Sequence, residues 1–206
     1  MSIVKLNNRG IRSATAVGTT TQLGDMVFIK KLTASSSADL SFVDGSASVV
    51  LDNTHKEYIF TFKNIHPATD GAEFQFNLSV DGGSNYNVTK TTTMFYSYQT
   101  ENGASTSVAY DGNLDLAQSS SDQLIMENLG NGDDENGAGY LHLFDPSSTT
   151  FLKHFISRGI RNGSADYCVD YYMGGYGNTT SAINAVQFKM SSGNLDAGDI
   201  CLYGIN

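Results

Sequence analysis

Residues able to do chemistry are few and scattered in this 206-residue chain. The histidines His55, His66, His142 and His154 stand apart from one another. His142 shares a strand face with Tyr140 and Phe144, and His154 shares one with Leu152 and Ile156. That setting predicts hydrogen-bonded core histidines rather than catalysts. No G-x-S-x-G, H-E-x-x-H, C-x-x-C or Walker loop is present, and Gly175-Tyr176-Gly177 runs into Asn178 where a dinucleotide fingerprint needs another glycine. A triad assembled through space stays open. No catalytic residue and no cofactor are expected.

Three further groups merit chemical reading. Asp133, Asp134 and Glu135 form the densest acid group, in a Gly/Asn loop whose oxygens would suit Ca²⁺. Their spacing is not that of an EF-hand, and a solvated loop without metal is the plainer expectation. Cys168 and Cys201 each fall in an expected strand; reduced and buried is the expectation, with pairing open if the two strands are neighbours. Tyrosines cluster at Tyr96 and Tyr98 and again at Tyr167, Tyr171, Tyr172 and Tyr176. Tyr176, bracketed by Gly174, Gly175 and Gly177, reads as loop-borne and exposed. With Asn178, Tyr96 and Tyr98 it forms a candidate binding set, since flat rings beside short polar groups suit sugars. The competing expectation is that many of these rings pave the interior.

What must position these residues is a sheet scaffold. The chain holds 23 Ser, 18 Thr, 17 Asn and 21 Gly against 5 Glu and 8 Lys, the residues that usually fill exposed helix faces. Period-2 alternation puts Tyr58, Phe60 and Phe62 on one face, and likewise Phe74, Phe76, Leu78 and Val80. Val186, Phe188 and Met190 alternate with Gln187 and Lys189. Further strands are expected at 26–32, 40–43, 48–51, 86–92, 94–99, 140–144, 151–156, 167–173 and 200–203. Asp44-Gly45, Asp81-Gly82-Gly83 and Ser192-Gly193 are among the turn signals. Half-wet strands belong to antiparallel sheets. About a dozen of them predict an all-β antiparallel sandwich, jelly-roll-like, as one domain over residues 25–206. Asp115–Leu124 is the one helix candidate. Residues 1–24, polar and Gly-rich, read as an extended N-terminal arm that orders on a neighbouring subunit, or as a frayed end.

Charge narrows the function. With 12 basic and 21 acidic side chains the net charge is −9, and no basic stripe for nucleic-acid phosphates is expected. No apolar run approaches a membrane span of about 20 residues, and the start lacks the apolar segment of a secretory signal.

The opening MSIVKLNNRG, the segment GYLHLFDPSSTTFLKHFIS over 139–157 and the ending SSGNLDAGDICLYGI over 191–205 resemble virion structural proteins of tailed bacteriophages of marine bacteria, cyanophages included. The likeness runs along essentially the whole chain. The close, SSGN-x-x-x-G followed by a short strand ending in L-Y-G-I, is similar to the C-terminal hairpin of many phage tail and fibre proteins. The resemblance implies a protein without enzymatic activity that assembles in the host cytoplasm and resides in the virion. Its expected partners are other virion proteins and, as a homotrimer, its own copies. A tail or fibre component contributing to host attachment by glycan binding is the leading expectation. The alternatives are a capsid decoration or cement protein and, in another class, a glycan depolymerase with two carboxylates across a groove.

Overall fold

The computed structural model describes residues 26–163 and 166–206; the expected arm over residues 1–24 lies outside them. Twelve strands run in chain order: β1 (Met26–Ser37), β2 (Asp39–Val43), β3 (Glu57–Pro67), β4 (Ala72–Ser79), β5 (Lys90–Thr100), β6 (Thr106–Tyr110), β7 (Gln123–Leu129), β8 (Gly137–Phe144), β9 (Lys153–Gly163), β10 (Tyr167–Gly177), β11 (Ala185–Met190) and β12 (Leu195–Ile205). No helix occurs among the described residues.

All strand pairings are antiparallel. One sheet has eight strands in the order β1-β12-β3-β8-β9-β10-β5-β6, and the other four in the order β2-β11-β4-β7. Without two hairpin-like additions, the order is that of a jelly roll. The pairs β1/β12, β2/β11, β3/β8 and β4/β7 are successive rungs of one folded ribbon, dealt alternately to the two sheets. The ribbon closes on itself through β12/β3 and β11/β4. Strands β5, β6, β9 and β10 all join the larger sheet beyond β8 and double its width.

Alternation explains which faces meet. Tyr58, Phe60 and Phe62 of β3, with Leu141 and Leu143 of β8, turn inward from the large sheet. Phe42, Phe74, Phe76, Leu78 and Phe188 turn inward from the small one. The Phe188 ring lies 5.2–6.4 Å from those of Phe42, Phe60, Phe62, Phe74 and Phe76, so a single side chain touches rings from both layers. Gly159 lets β7 come close, because a Cβ there would sit 2.5 Å from Met126 Cγ. On the outside, Asp199 of β12 accepts from Thr33 Oγ1 at 2.6 Å and pairs with Lys31 of β1 and Lys63 of β3. The Thr33 hydroxyl, then Lys63 and Lys31, hold its carboxyl down to about 2.

Several local expectations change in the folded chain. Asp115–Leu124 is not a helix: Thr92 N–H donates to Leu116 O, Lys90 and Ser119 exchange backbone hydrogen bonds, and β7 starts at Gln123. Pairing to β5 gives that backbone the partners a helix would have supplied. Residues 48–51 form a loop whose Val49 and Leu51 plug the core, with Leu51 N–H donating to Asp44 Oδ1. The strands expected at 86–92 and 151–156 begin only at Lys90 and Lys153.

His142 and His154 point outward, as the residues beside them on β8 and β9 point in; His142 Nε2 lies 3.0 Å from Glu57 Oε2, and His154 is exposed. Of the four histidines, His55 is buried, with Nδ1 2.6 Å from Asn206 Oδ1. The cysteines are free, and Cys168 is exposed rather than buried. Their strands lie four positions apart in the large sheet, about 19 Å at the usual strand spacing, too far to bridge.

Phe188→Ala should cost about 3–5 kcal/mol in urea unfolding, while Ile160→Ser on the outer face should stay within about 0.5 kcal/mol. Because the Asp199 pKa is depressed on folding, its stabilisation is present above 3.8 and is lost as pH falls towards about 2. Thermal melts of Asp199→Asn should therefore flatten across that window relative to the parent protein.

Candidate functional site

The two sheets differ in width, and the difference creates the site. β7 is the last strand of the small sheet, so the inner face of β10, β5 and β6 is only partly covered by strands of that sheet. At one end the 111–122 connection covers this face: Thr92 Oγ1 accepts from Leu116 N–H and donates to Gln123 Oε1 at 2.6 Å. At the other end the face stays open as a recess of about 370 Å³.

Its walls are aromatic. Tyr96 and Tyr98 come from β5, Tyr167 and Val169 from β10, and Thr100 with Ser105 closes the β5–β6 end. Ring centroids are 6.4 Å apart for Tyr96 and Tyr98, and 6.0 Å for Tyr98 and Tyr167. The Tyr98 hydroxyl lies 3.0 Å from Ser105 Oγ.

Two ionisable groups stand among these rings. Arg161 of β9 is 2% exposed, with its guanidinium carbon 5.0 Å from the centre of the Tyr167 ring. Its Nη2 lies 3.5 Å from the Tyr167 hydroxyl; Nε and Nη1 have no hydrogen-bond partner among the described residues. Gly163 leaves the space for Nη1, which lies 2.4 Å from where a Cβ would be. Burial opposes the Arg161 charge, but Tyr171 and Tyr167 outweigh it and its pKa lies above the ordinary value. Opposite sits Glu127 of β7, whose pKa burial raises against the pull of Arg161. The Tyr171 hydroxyl reaches Glu127 Oε1 at 3.4 Å. The recess thus offers flat rings, a donor-rich cation and an acceptor carboxylate in a partly desolvated place. Those are groups that can hold a sugar ring by stacking and by paired hydrogen bonds.

The four residues expected to bind do not converge. Tyr96 and Tyr98 line the recess, but Tyr176 is in β10 rather than a loop and faces the outer side, half-buried, its ring 6.0 Å from His154. Asn178 is exposed just past that strand, with Nδ2 donating to Gln118 Oε1 at 2.8 Å. Side chains one residue out of phase leave opposite faces of a sheet, so these two cannot join the tyrosines of β5. In the acid loop Asp133 and Asp134 are exposed, while Glu135 turns back to accept from Gly132 N–H at 2.7 Å. Among the described residues no three His, Cys, Asp or Glu side chains gather as a metal set. Sequence reasoning missed Arg161, Glu127 and Tyr167 as site residues. Extending the alternation of β9 from Phe155 through Ser157 and Gly159 would have put Arg161 on the inward face, a buried-cation signal.

If Glu127 accepts a hydroxyl from a ligand, binding should weaken on acidification, starting above the ordinary glutamate range because its pKa is raised. Titrating binding against pH in the parent protein and in Glu127→Gln checks this; the variant should lose the acid limb. No family model, curated protein or solved structure matches the chain.

Proposed function

We propose that this chain is a non-enzymatic virion structural protein of a tailed bacteriophage, a jelly-roll module of the tail or fibre apparatus that contributes to host attachment by holding a surface glycan. The observation that carries the binding reading is Arg161, buried beneath the tyrosines of an open recess with donors left over. A half-satisfied guanidinium inside a protein is costly, and a ligand that meets its donors repays that cost. Among the described residues Glu127 is the one carboxylate lining the recess, whereas glycoside hydrolysis uses a pair. That favours holding a glycan over cutting it. The virion assignment rests on the C-terminal SSGN-x-x-x-G and L-Y-G-I pattern and on an architecture frequent in capsid and lectin domains.

A second reading, a capsid decoration or cement protein, is favoured by a different surface. Tyr140, Arg158, Tyr172, Phe95 and Tyr110 stand in register across β8, β9, β10, β5 and β6 on the outer face. Phe95 stacks on Tyr172 at 4.9 Å, and Arg158 lies 4.8 Å over the same ring while pairing with Asp170. Val108, Ile156 and Ile160 add exposed apolar area on that side. A flat face of this kind suits contact with another subunit, whether in a homotrimer or between capsomers.

The purified protein should bind host cells or their envelope polysaccharide, and Tyr98→Ala or Tyr167→Ala should each weaken binding about tenfold or more, roughly 1.4 kcal/mol. No binding to either would overturn the attachment reading. Densitometry of whole particles separates the two roles, since fibre subunits number about tens and cement subunits about hundreds.

A further inference from the structure

Far from the recess, at the covered end of the same inner face, two polar side chains meet between the sheets. Lys90 of β5 is 0% exposed and Asn77 of β4 is 2% exposed. Lys90 Nζ lies 2.5 Å from Asn77 Oδ1, and it also donates to Val88 O at 2.8 Å. The amide of Asn77 is held from both ends. Its Oδ1 accepts a second hydrogen bond, from Leu78 N–H at 2.9 Å. Its Nδ2 donates to Asp122 Oδ1 at 2.9 Å and to Ser120 O at 3.1 Å. Two donors at one end and two acceptors at the other allow only this orientation of the amide.

These are the parts of an acyl transfer. An amine stands beside a carboxamide, a backbone N–H is placed where negative charge would develop on oxygen, and a carboxylate touches the nitrogen that would leave. We propose that Lys90 and Asn77 join in an intramolecular isopeptide bond that staples β5 of the large sheet to β4 of the small one.

The step balances without a co-reactant. The lone pair of the uncharged Nζ adds to Asn77 Cγ, and the charge gathering on Oδ1 is met by Leu78 N–H. The Cγ–Nδ2 bond then breaks. The proton given up by the amine passes to Nδ2, which the Asp122 carboxylate holds and which departs as ammonia. One amide replaces another, and nothing is oxidised or reduced.

Burial enlarges the uncharged fraction of the amine: it pulls the Lys90 pKa down to about 8, against the opposing charge of Asp122. Asp122 itself is anchored by Lys189, whose Nζ lies 2.8 Å from Oδ2. Space is shared closely here, for a Cβ at Gly177, the register partner of Lys90, would meet Val88 Cγ1 at 3.1 Å. The enclosure keeps amine and amide in contact and excludes water, and both effects favour the bond over hydrolysis. The inference is independent of the glycan recess, since no residue is common to the two sites.

Intact-mass spectrometry of the purified full chain tests it. The linked protein should weigh about 17 Da less than its sequence, the mass of one ammonia. Chymotrypsin cuts after Tyr86, between the two residues, and should nevertheless release the Asn77 and Lys90 peptides joined as one branched species. Lys90→Arg and Asn77→Ala should show the unshifted mass of their sequences. Asp122→Ala keeps both partners and should leave most of the chain unlinked. An unshifted parent protein with separate Asn77 and Lys90 peptides overturns the proposal. So does a loss of ammonia that the peptide map places elsewhere.

Discussion

The structure depends on the aromatic contact between its two sheets, centred on Phe188. Rings from β2, β3, β4 and β11 converge there, and each is on the inward phase of its strand. A one-residue slip of any of these strands would turn its rings to solvent, so this cluster sets register as well as stability. The jelly-roll order follows from it. A ribbon that deals its rungs alternately to the two layers brings β3 and β11 face to face while keeping every neighbour antiparallel.

From that fixed centre the consequences run outward to where the sheets no longer match. Eight strands cannot be covered by four: β7 packs on β9, and β10, β5 and β6 extend past that edge. Three cations lie on the inward phase of β5 and β9, Lys90, Lys153 and Arg161, all within 2% of full burial. Each solves the cost of a buried charge differently. Lys153 donates to the carbonyl of Phe151, Lys90 to Asn77 and Val88, and Arg161 lies against tyrosines with Glu127 nearby. Inward positions near the margin of the covering sheet see neither a full apolar core nor bulk water. Long basic side chains can occupy such places because their stems pack while their heads find carbonyls or rings.

The same mismatch separates the two faces of the extension by chemistry. Its inner side holds the recess, polar at the floor and ringed by tyrosine. Its outer side presents the row from Tyr140 to Tyr110, flat and aromatic. Strand alternation alone produces this division, since neighbours along β5 such as Phe95 and Tyr96 must serve opposite faces.

That division also marks what could be read in advance. The all-β class, the antiparallel pairing and the inward phases of β3, β4 and β11 were legible, because a half-buried strand writes its two environments into adjacent residues. The recess was not: Arg161, Glu127 and Tyr167 belong to β9, β7 and β10, and only sheet order brings them beside β5. Nor could local pattern show that 115–124 pairs with Lys90 instead of coiling, or that His142 and His154 face out, because outward rings in β8 and β9 mimic an inward stripe. Sequence determined which residues could share a side of each strand, a local matter of backbone geometry. Tertiary structure decided which side was covered, because coverage depends on how many strands the opposite sheet has, and no segment carries that count.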